Sequence, residues 1–166
     1  MIGNLKNELN LCNKCPLFRE IMCFPNVGCG NGTNPDVVFI LGGVDRESLI
    51  FDKPFNELCE TVLLKCLSKA DLSPDKCYIT SIIKCGSLKD KKDYIKTCSN
   101  WLIEEINILK PKVLFFIGQK TFDAFYKLYP DVKIKTITEP QTLYSIFSRS
   151  SNMNAFVERI KKVNGI

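Results

Sequence analysis

The sequence predicts an α/β fold: a three-layer sandwich whose short, mostly parallel central sheet of about four strands is flanked by helices. Three observations predict it. Asp36-Val37-Val38-Phe39-Ile40-Leu41 and Val113-Leu114-Phe115-Phe116-Ile117 are short continuous apolar runs, the mark of strands covered on both faces. Each run stops at glycine, at Gly42-Gly43 and at Gly118. The segments between them repeat apolar residues at helical spacing, and strands alternating with helices imply a parallel sheet wrapped on both sides.

The elements follow in order. Asn4 to Leu11 reads as a short helix. Val27 to Pro35 is rich in Gly and Asn and reads as loop. After the first strand, Asn56 to Lys69 carries Leu58, Cys59, Val62, Leu63, Cys66 and Leu67 on one helical stripe, which gives both cysteines a packing role. Ser73-Pro74 marks a turn, and Cys77 to Ile83 reads as the second strand. Lys92 to Leu109 is a helix stopped by Lys110-Pro111, because the residue before a proline is pushed out of the helical region. Gln119 to Leu128 is the next helix, Val132 to Thr138 a shorter alternating strand, and Asn154 to Val163 a closing helix with Phe156, Ile160 and Val163 on one face. No repeat, low-complexity tract or long linker interrupts this order, so residues 1–166 are expected to form one domain. In such sheets the ligand site lies beyond the carboxyl ends of the strands: Gly42-Gly43, Ser81, Gly118 and Glu139-Pro140.

Cys12 and Cys15 form a C-x2-C loop, and Cys85 and Cys98 follow far downstream as C-x12-C. Gathered together, four thiolates of this kind hold a [4Fe-4S] cluster or a zinc ion; kept apart, Cys85 and Cys98 are small buried apolar residues. Cys23 and Cys29 lie in a loop near the first pair and are lesser ligand candidates. Nine cysteines is an odd count, which argues against a disulfide framework and for a reducing compartment.

The chain carries a net charge of +5 and no histidine. The charge permits nucleic-acid binding without requiring it; the richest basic run, Lys89 to Lys96, is interrupted by Asp90 and Asp93. The missing histidines remove the usual general base, proton shuttle and imidazole ligand together. No apolar run approaches a membrane span, and the N-terminus lacks a signal-peptide pattern. A cytoplasmic, soluble monomer with no membrane partner is the expectation.

Several pieces then line up in one order: Cys12-x-x-Cys15-Pro16-Leu17, Gly28-x-Gly30-Asn31, Val37 to Gly42, Lys53-Pro54-Phe55, Tyr78-Ile79-Thr80, Lys84-Cys85, Cys98-x-x-Trp101-Leu102, and Pro111-Lys112-Val113 running to Ile117-Gly118. From about Cys12 to about Leu143 the chain resembles the iron–sulfur uracil-DNA glycosylases, the family-4 and family-5 branches of that superfamily. The resemblance implies a structural [4Fe-4S] cluster on Cys12, Cys15, Cys85 and Cys98. It also implies DNA, single- or double-stranded, as partner, a base flipped out of the stack, and hydrolysis of its N-glycosidic bond in base-excision repair.

Measured against that resemblance, one site residue is kept and three depart. Phe55 stands ready to stack on a base; as a packing residue it would only open a core helix. Gly42-Gly43-Val44-Asp45 replaces the loop that carries a carboxylate in family-4 members, with Gly43 at the carboxylate's place; Asp45 or Glu47 is the neighbouring substitute. Ser81 stands where an asparagine reads the uracil edge, and one hydroxyl cannot mimic an amide's paired donor and acceptor. Glu139-Pro140 replaces His-Pro. An ionised Glu139 repels the departing base anion, and only a protonated carboxyl donates to it. Loss of one such donor typically costs about a hundredfold to a thousandfold in rate. Leu143 occupies the place of the base-stack wedge, and Arg149 is the candidate phosphate contact. Two functions follow: a glycosylase of reduced or changed specificity, and a catalytically silent relative that binds DNA or docks on a protein.

Overall fold

The computed structural model describes residues 1–19, 25–44, 53–85 and 94–165 of the 166-residue chain. Asp45, Glu47, Cys23 and most of the Lys89–Lys96 run lie outside them.

Among the described residues, five strands and six α-helices alternate: α1 (Ile2–Asn10), β1 (Cys29–Gly30), β2 (Val37–Leu41), α2 (Glu57–Lys69), β3 (Cys77–Ser81), α3 (Ile95–Leu109), β4 (Val113–Ile117), α4 (Gln119–Leu128), β5 (Lys135–Glu139), α5 (Leu143–Phe147) and α6 (Ser150–Lys161). Short 3-10 turns occupy Pro16–Arg19 and Pro74–Lys76. The sheet order is β1-β3-β2-β4-β5. β2 pairs in parallel with β3 and with β4, β4 pairs in parallel with β5, and β1 is antiparallel to β3. This is the three-layer α/β arrangement the sequence predicts, with one strand more than the expected four.

The period of two sorts the three central strands between two cores. Val37, Phe39 and Leu41 of β2, Cys77 and Ile79 of β3, and Val113, Phe115 and Ile117 of β4 face α2, α5 and α6. Val38, Ile40, Tyr78, Leu114 and Phe116 face α1, α3 and α4. Both faces are covered, which is why the central runs read as continuously apolar. Phe115 packs on Phe39 and Phe156 on one side, and Phe116 packs on Phe122 and Phe125 on the other.

The departures from the sequence reading are local. β1 lies inside the segment read as loop, because two residues carry no periodicity; it forms by pairing Cys29 with Ile79 and Gly30 with Tyr78. The second strand ends at Ser81, where the Ile82 N–H turns to the Leu41 carbonyl. Leu58 is 64% exposed, so the stripe of α2 that reaches the core is Leu63, Cys66 and Leu67. Asn56 caps that helix by accepting the Cys59 N–H at 2.9 Å, the usual role of Asn just before a helix. Lys110 ends α3 in the left-handed region before Pro111. The last helix begins at Ser150 rather than Asn154, with α5 packed before it.

Candidate functional site

The carboxyl ends of β2 and β4 open into a cleft of about 270 Å³ lined by Leu41, Gly42, Gly43, Phe55, Thr121 and Tyr144, among others. Known ligand pockets run about 300–1,000 Å³, so this one suits a single heterocycle rather than a whole nucleotide. Two other hollows, of about 800 Å³ beside α1 and about 160 Å³ beside Asp36, open at the amino ends of the strands, the pole where parallel sheets rarely bind ligands.

The cleft exists because of two glycines. Gly118 turns the chain from β4 into α4 with φ +100, a conformation that L side chains rarely adopt. Gly42 meets Thr121 across the cleft floor: a Cβ built there would sit 2.9 Å from the Thr121 hydroxyl. The wall is aromatic. Phe55 is 4% exposed, and Leu143 is 7% exposed and belongs to the core. Its neighbour Tyr144 is 83% exposed at the cleft mouth. Among the described lining residues there is no carboxylate, lysine or arginine.

The structure therefore brings together Gly42, Gly43, Phe55 and Leu143, and leaves Ser81, Glu139 and Arg149 outside that lining. The fully buried Ser81 hydroxyl donates to the Ile83 carbonyl at 2.7 Å. Both oxygens of Glu139 are engaged: one accepts the Gln141 N–H at 2.9 Å, and the other is ion-paired with Arg159 of α6. That carboxylate locks the β5–α5 loop to the last helix. Arg149 is exposed at the start of α6. Sequence reasoning missed Thr121 and Tyr144. The first was signalled by its place in the helical turn after Gly118, the second only by standing beside the expected wedge.

The four candidate ligand cysteines belong to the opposite face of the sheet. Cys85 and Cys98 are buried in the second core, and Cys12 and Cys15 pack against it. The backbone N–H of Lys84 donates to the Cys98 sulfur at 3.2 Å. Burial pushes the Cys98 thiol up to about 11; the Lys84 N–H partly offsets this, and the nearby Cys15 and Cys12 add to the rise. The described cysteines form no disulfide. Lys14, between Cys12 and Cys15, sets its ammonium 4.0 Å over the ring of Trp101, a cation–π contact. The Trp101 indole N–H is buried with no partner, a condition that costs about 1–3 kcal/mol for a neutral donor.

Behind the cysteines lies a buried polar network. Lys84 is fully enclosed, and its ammonium donates to Glu105 at 2.6 Å, to the Thr80 hydroxyl at 2.6 Å and to the Val27 carbonyl at 3.4 Å. Burial pushes Glu105 up to about 7 against the pull of Lys84. The sequence flagged Lys84 only as the neighbour of Cys85. The clue to Glu105 was a lone acid within the apolar α3 stripe of Cys98, Trp101, Leu102, Ile106 and Leu109.

With this geometry in place, comparison with known proteins decides the family. The uracil DNA glycosylase superfamily model matches residues 31–162. The chain belongs to that superfamily. It is 21% identical over 141 residues to the type-4 uracil-DNA glycosylase of Archaeoglobus fulgidus, covering 82% of this chain and 69% of that protein. To the enzyme of the same name from Saccharolobus solfataricus it is 25% identical over 130 residues, 74% of this chain and 58% of that one. To that of Pyrobaculum aerophilum it is 26% identical over 133 residues, 76% and 65%. The chain thus spans 58 to 69% of the length of these relatives. No helix among its described residues is long and apolar enough to cross a membrane.

Among the described residues, no three His, Cys, Asp or Glu side chains stand close enough to hold a single metal ion. Cys12, Cys15, Cys85 and Cys98 offer four soft sulfurs with no oxygen or imidazole among them, a set that would suit an iron–sulfur cluster or a zinc ion.

Proposed function

We propose that this chain is a DNA-repair glycosylase that takes an extruded uracil or altered base into the cleft and hydrolyses its N-glycosidic bond, with reduced or changed specificity. A [4Fe-4S] cluster on Cys12, Cys15, Cys85 and Cys98 would clamp the N-terminal loop to the segment that joins β3 and α3. The supporting observation is the cleft itself, which is of single-base size, lies at the carboxyl ends of the strands and has a wall formed by Phe55. In this reading Phe55 stacks on the base, and Gly42-Gly43 lets it approach the backbone. The amino end of α4, where Ile117 and Thr121 line the cleft, puts the positive end of a helix dipole beside the departing anion. Asp45, two residues after Gly43 in the sequence, is the group proposed to favour the cationic sugar or to position the attacking water. DNA is held largely through its phosphates, so affinity falls steeply with salt.

A catalytically silent DNA-binding relative is the second reading, and the bonds of Ser81 and Glu139 favour it, because neither group is left to read or protonate a base. The test is a panel of oligonucleotides carrying uracil, hypoxanthine, xanthine or hydroxymethyluracil, incubated with excess cluster-loaded protein. Abasic product from at least one, lost in Asp45→Asn, supports the enzyme. DNA binding without product from any supports the silent relative. The double variant Glu139→His, Ser81→Asn is expected to gain no uracil excision, since both side chains are tied away from the cleft.

A further inference from the structure

We infer that the indole N–H of Trp101 is a hydrogen-bond donor to a sulfur of the centre held by Cys12, Cys15, Cys85 and Cys98, and that it governs how firmly that centre is kept. The inference rests on the cluster reading above.

Three observations place the indole at this position. Trp101 is 5% exposed, and its Nε1 has no hydrogen-bond partner. Buried donors are rarely left unmade, so the orphan marks an acceptor that protein atoms do not supply. The ring shares a buried cluster and a helix face with a cysteine: on α3 it stands one turn after Cys98, and residues three apart share a helix face. Cys85 and Cys98 belong to the same packed cluster, with Cys12 and Cys15 packed against it. The ring is also fixed in place. The Lys14 ammonium sits 4.0 Å over it, and Lys14 is on the Cys12–Cys15 loop itself, so the cysteine loop and the indole hold each other in register. The unpartnered N–H belongs to the same buried cluster as Cys85 and Cys98, against which Cys12 and Cys15 pack, and sulfur accepts hydrogen bonds weakly when neutral but better as thiolate or sulfide.

Hydrogen bonds to cluster sulfurs help to set reduction potential, and outer-shell partners of a metal site typically contribute about ten- to a hundredfold in affinity. Trp101 is thus a positioning and tuning residue, distinct from the ligands.

The chain contains one tryptophan, so replacing tryptophan globally by its sulfur isostere benzothienylalanine deletes this N–H and keeps the ring shape. The experiment compares anaerobically purified full-length protein, the isostere-substituted protein and Trp101→Phe. Each is measured for iron content, absorption near about 400 nm, rate of iron loss to a chelator, and electrode-measured reduction potential. Expected are iron in all three, about ten- to a hundredfold faster loss in both substituted forms, and a lower potential in both. An isostere protein that matches the native one in loss rate and potential overturns the inference while leaving the cluster standing. Faster loss in the Phe form alone assigns the ring a packing role and also overturns it. Native protein without iron removes the cluster reading itself.

Discussion

The two faces of the sheet are built from different material. Toward α2, α5 and α6 the core is apolar, and its ionised pair, Glu139 with Arg159, lies at the β5 edge. Toward α1, α3 and α4 the core encloses Lys84, Glu105 and Thr80 and includes Cys85, Cys98 and Trp101, with Cys12 and Cys15 packed against it. The cleft lies on the apolar side, lined by glycines, aromatics and hydroxyls. The buried lysine and its acid therefore sit behind the cysteines and away from the cleft. The polar network and the cleft can be perturbed separately.

The largest effect is expected behind the cysteines. Lys84→Met leaves Glu105 buried without its cation, and breaking such a pair costs about 3–5 kcal/mol. Replacing both partners with apolar groups, Lys84→Met with Glu105→Leu, should recover most of that, because the desolvation cost disappears with the charges. Urea unfolding of the three proteins measures it. The pH dependence has a definite sign. Glu105 already lies above the usual carboxylate value of 4.5, at about 7, and losing Lys84 raises it further. A carboxyl raised by folding contributes stability that is complete below its unfolded value and lost as pH rises through its folded one. The deficit of Lys84→Met should therefore stay level up to about pH 7, where Glu105 is neutral in both folded proteins, and grow above it. A pH-independent deficit would mean that packing of the lysine stem, rather than charge pairing, carries the effect.

Across the sheet, Gly42→Ala tests the cleft floor. Its Cβ would sit 2.9 Å from the Thr121 hydroxyl, and overpacking of this kind costs about 1–3 kcal/mol. The greater effect should be on ligand access: binding of DNA carrying a modified base should weaken while iron content stays native. Adding Thr121→Ala removes the colliding oxygen and should restore both stability and binding. If Gly42→Ala binds like the native protein, the base does not enter between β2 and α4.

How much of this was legible in the sequence follows from what kind of signal each feature leaves. β2 and β4 are continuous apolar runs ended by glycine, so the sheet and its orientation were readable, and with them the strand ends where the cleft opens. β1 was not, since two residues have no period and the pairing depends on Tyr78 and Ile79 of another strand. Cys12 and Cys15 were readable as a pair from their C-x2-C spacing, whereas the burial of Cys85 and Cys98 in the core they pack against depends on how α3 docks on the sheet. The roles of Glu139 and Ser81 were not, because a one-letter alignment position says nothing about where the side chain's hydrogen bonds go. Glu139 is turned toward Arg159, which lies twenty residues on along another helix, a pairing fixed only once α6 packs on β5.

Arg159→Met isolates that pairing. It leaves the Glu139 carboxylate, 1% exposed, with the Gln141 N–H as its remaining partner. Because the arginine side chain is itself one-third exposed, the cost is nearer that of an unsatisfied buried acceptor, about 1–3 kcal/mol. Thermal unfolding should show a fall of several degrees, and Glu139→Gln added to Arg159→Met should reverse part of it by removing the unpaired charge. Failure of the second change to help would show that water reaches Glu139.

The smallest effect on stability and the most selective one on function is expected at Tyr144. The sequence places the base-stack wedge at Leu143, but Leu143 is folded into the core, and the exposed ring at the cleft mouth is Tyr144. Leu143→Ala should therefore behave as a core truncation, costing about 2–5 kcal/mol. Tyr144→Ala should leave stability within about 0.5 kcal/mol while removing one base–aromatic stack, about 1–3 kcal/mol of DNA affinity, or roughly ten- to a hundredfold. Tyr144→Phe keeps the ring and should bind like the native protein, and the salt slope of binding should be the same in all three, since no phosphate contact is touched. Measured DNA affinities that fall equally in the Ala and Phe forms would assign the role to the phenol hydroxyl. An Ala form of native affinity would remove α5 from the DNA surface altogether, leaving Phe55 as the aromatic through which the cleft meets a base.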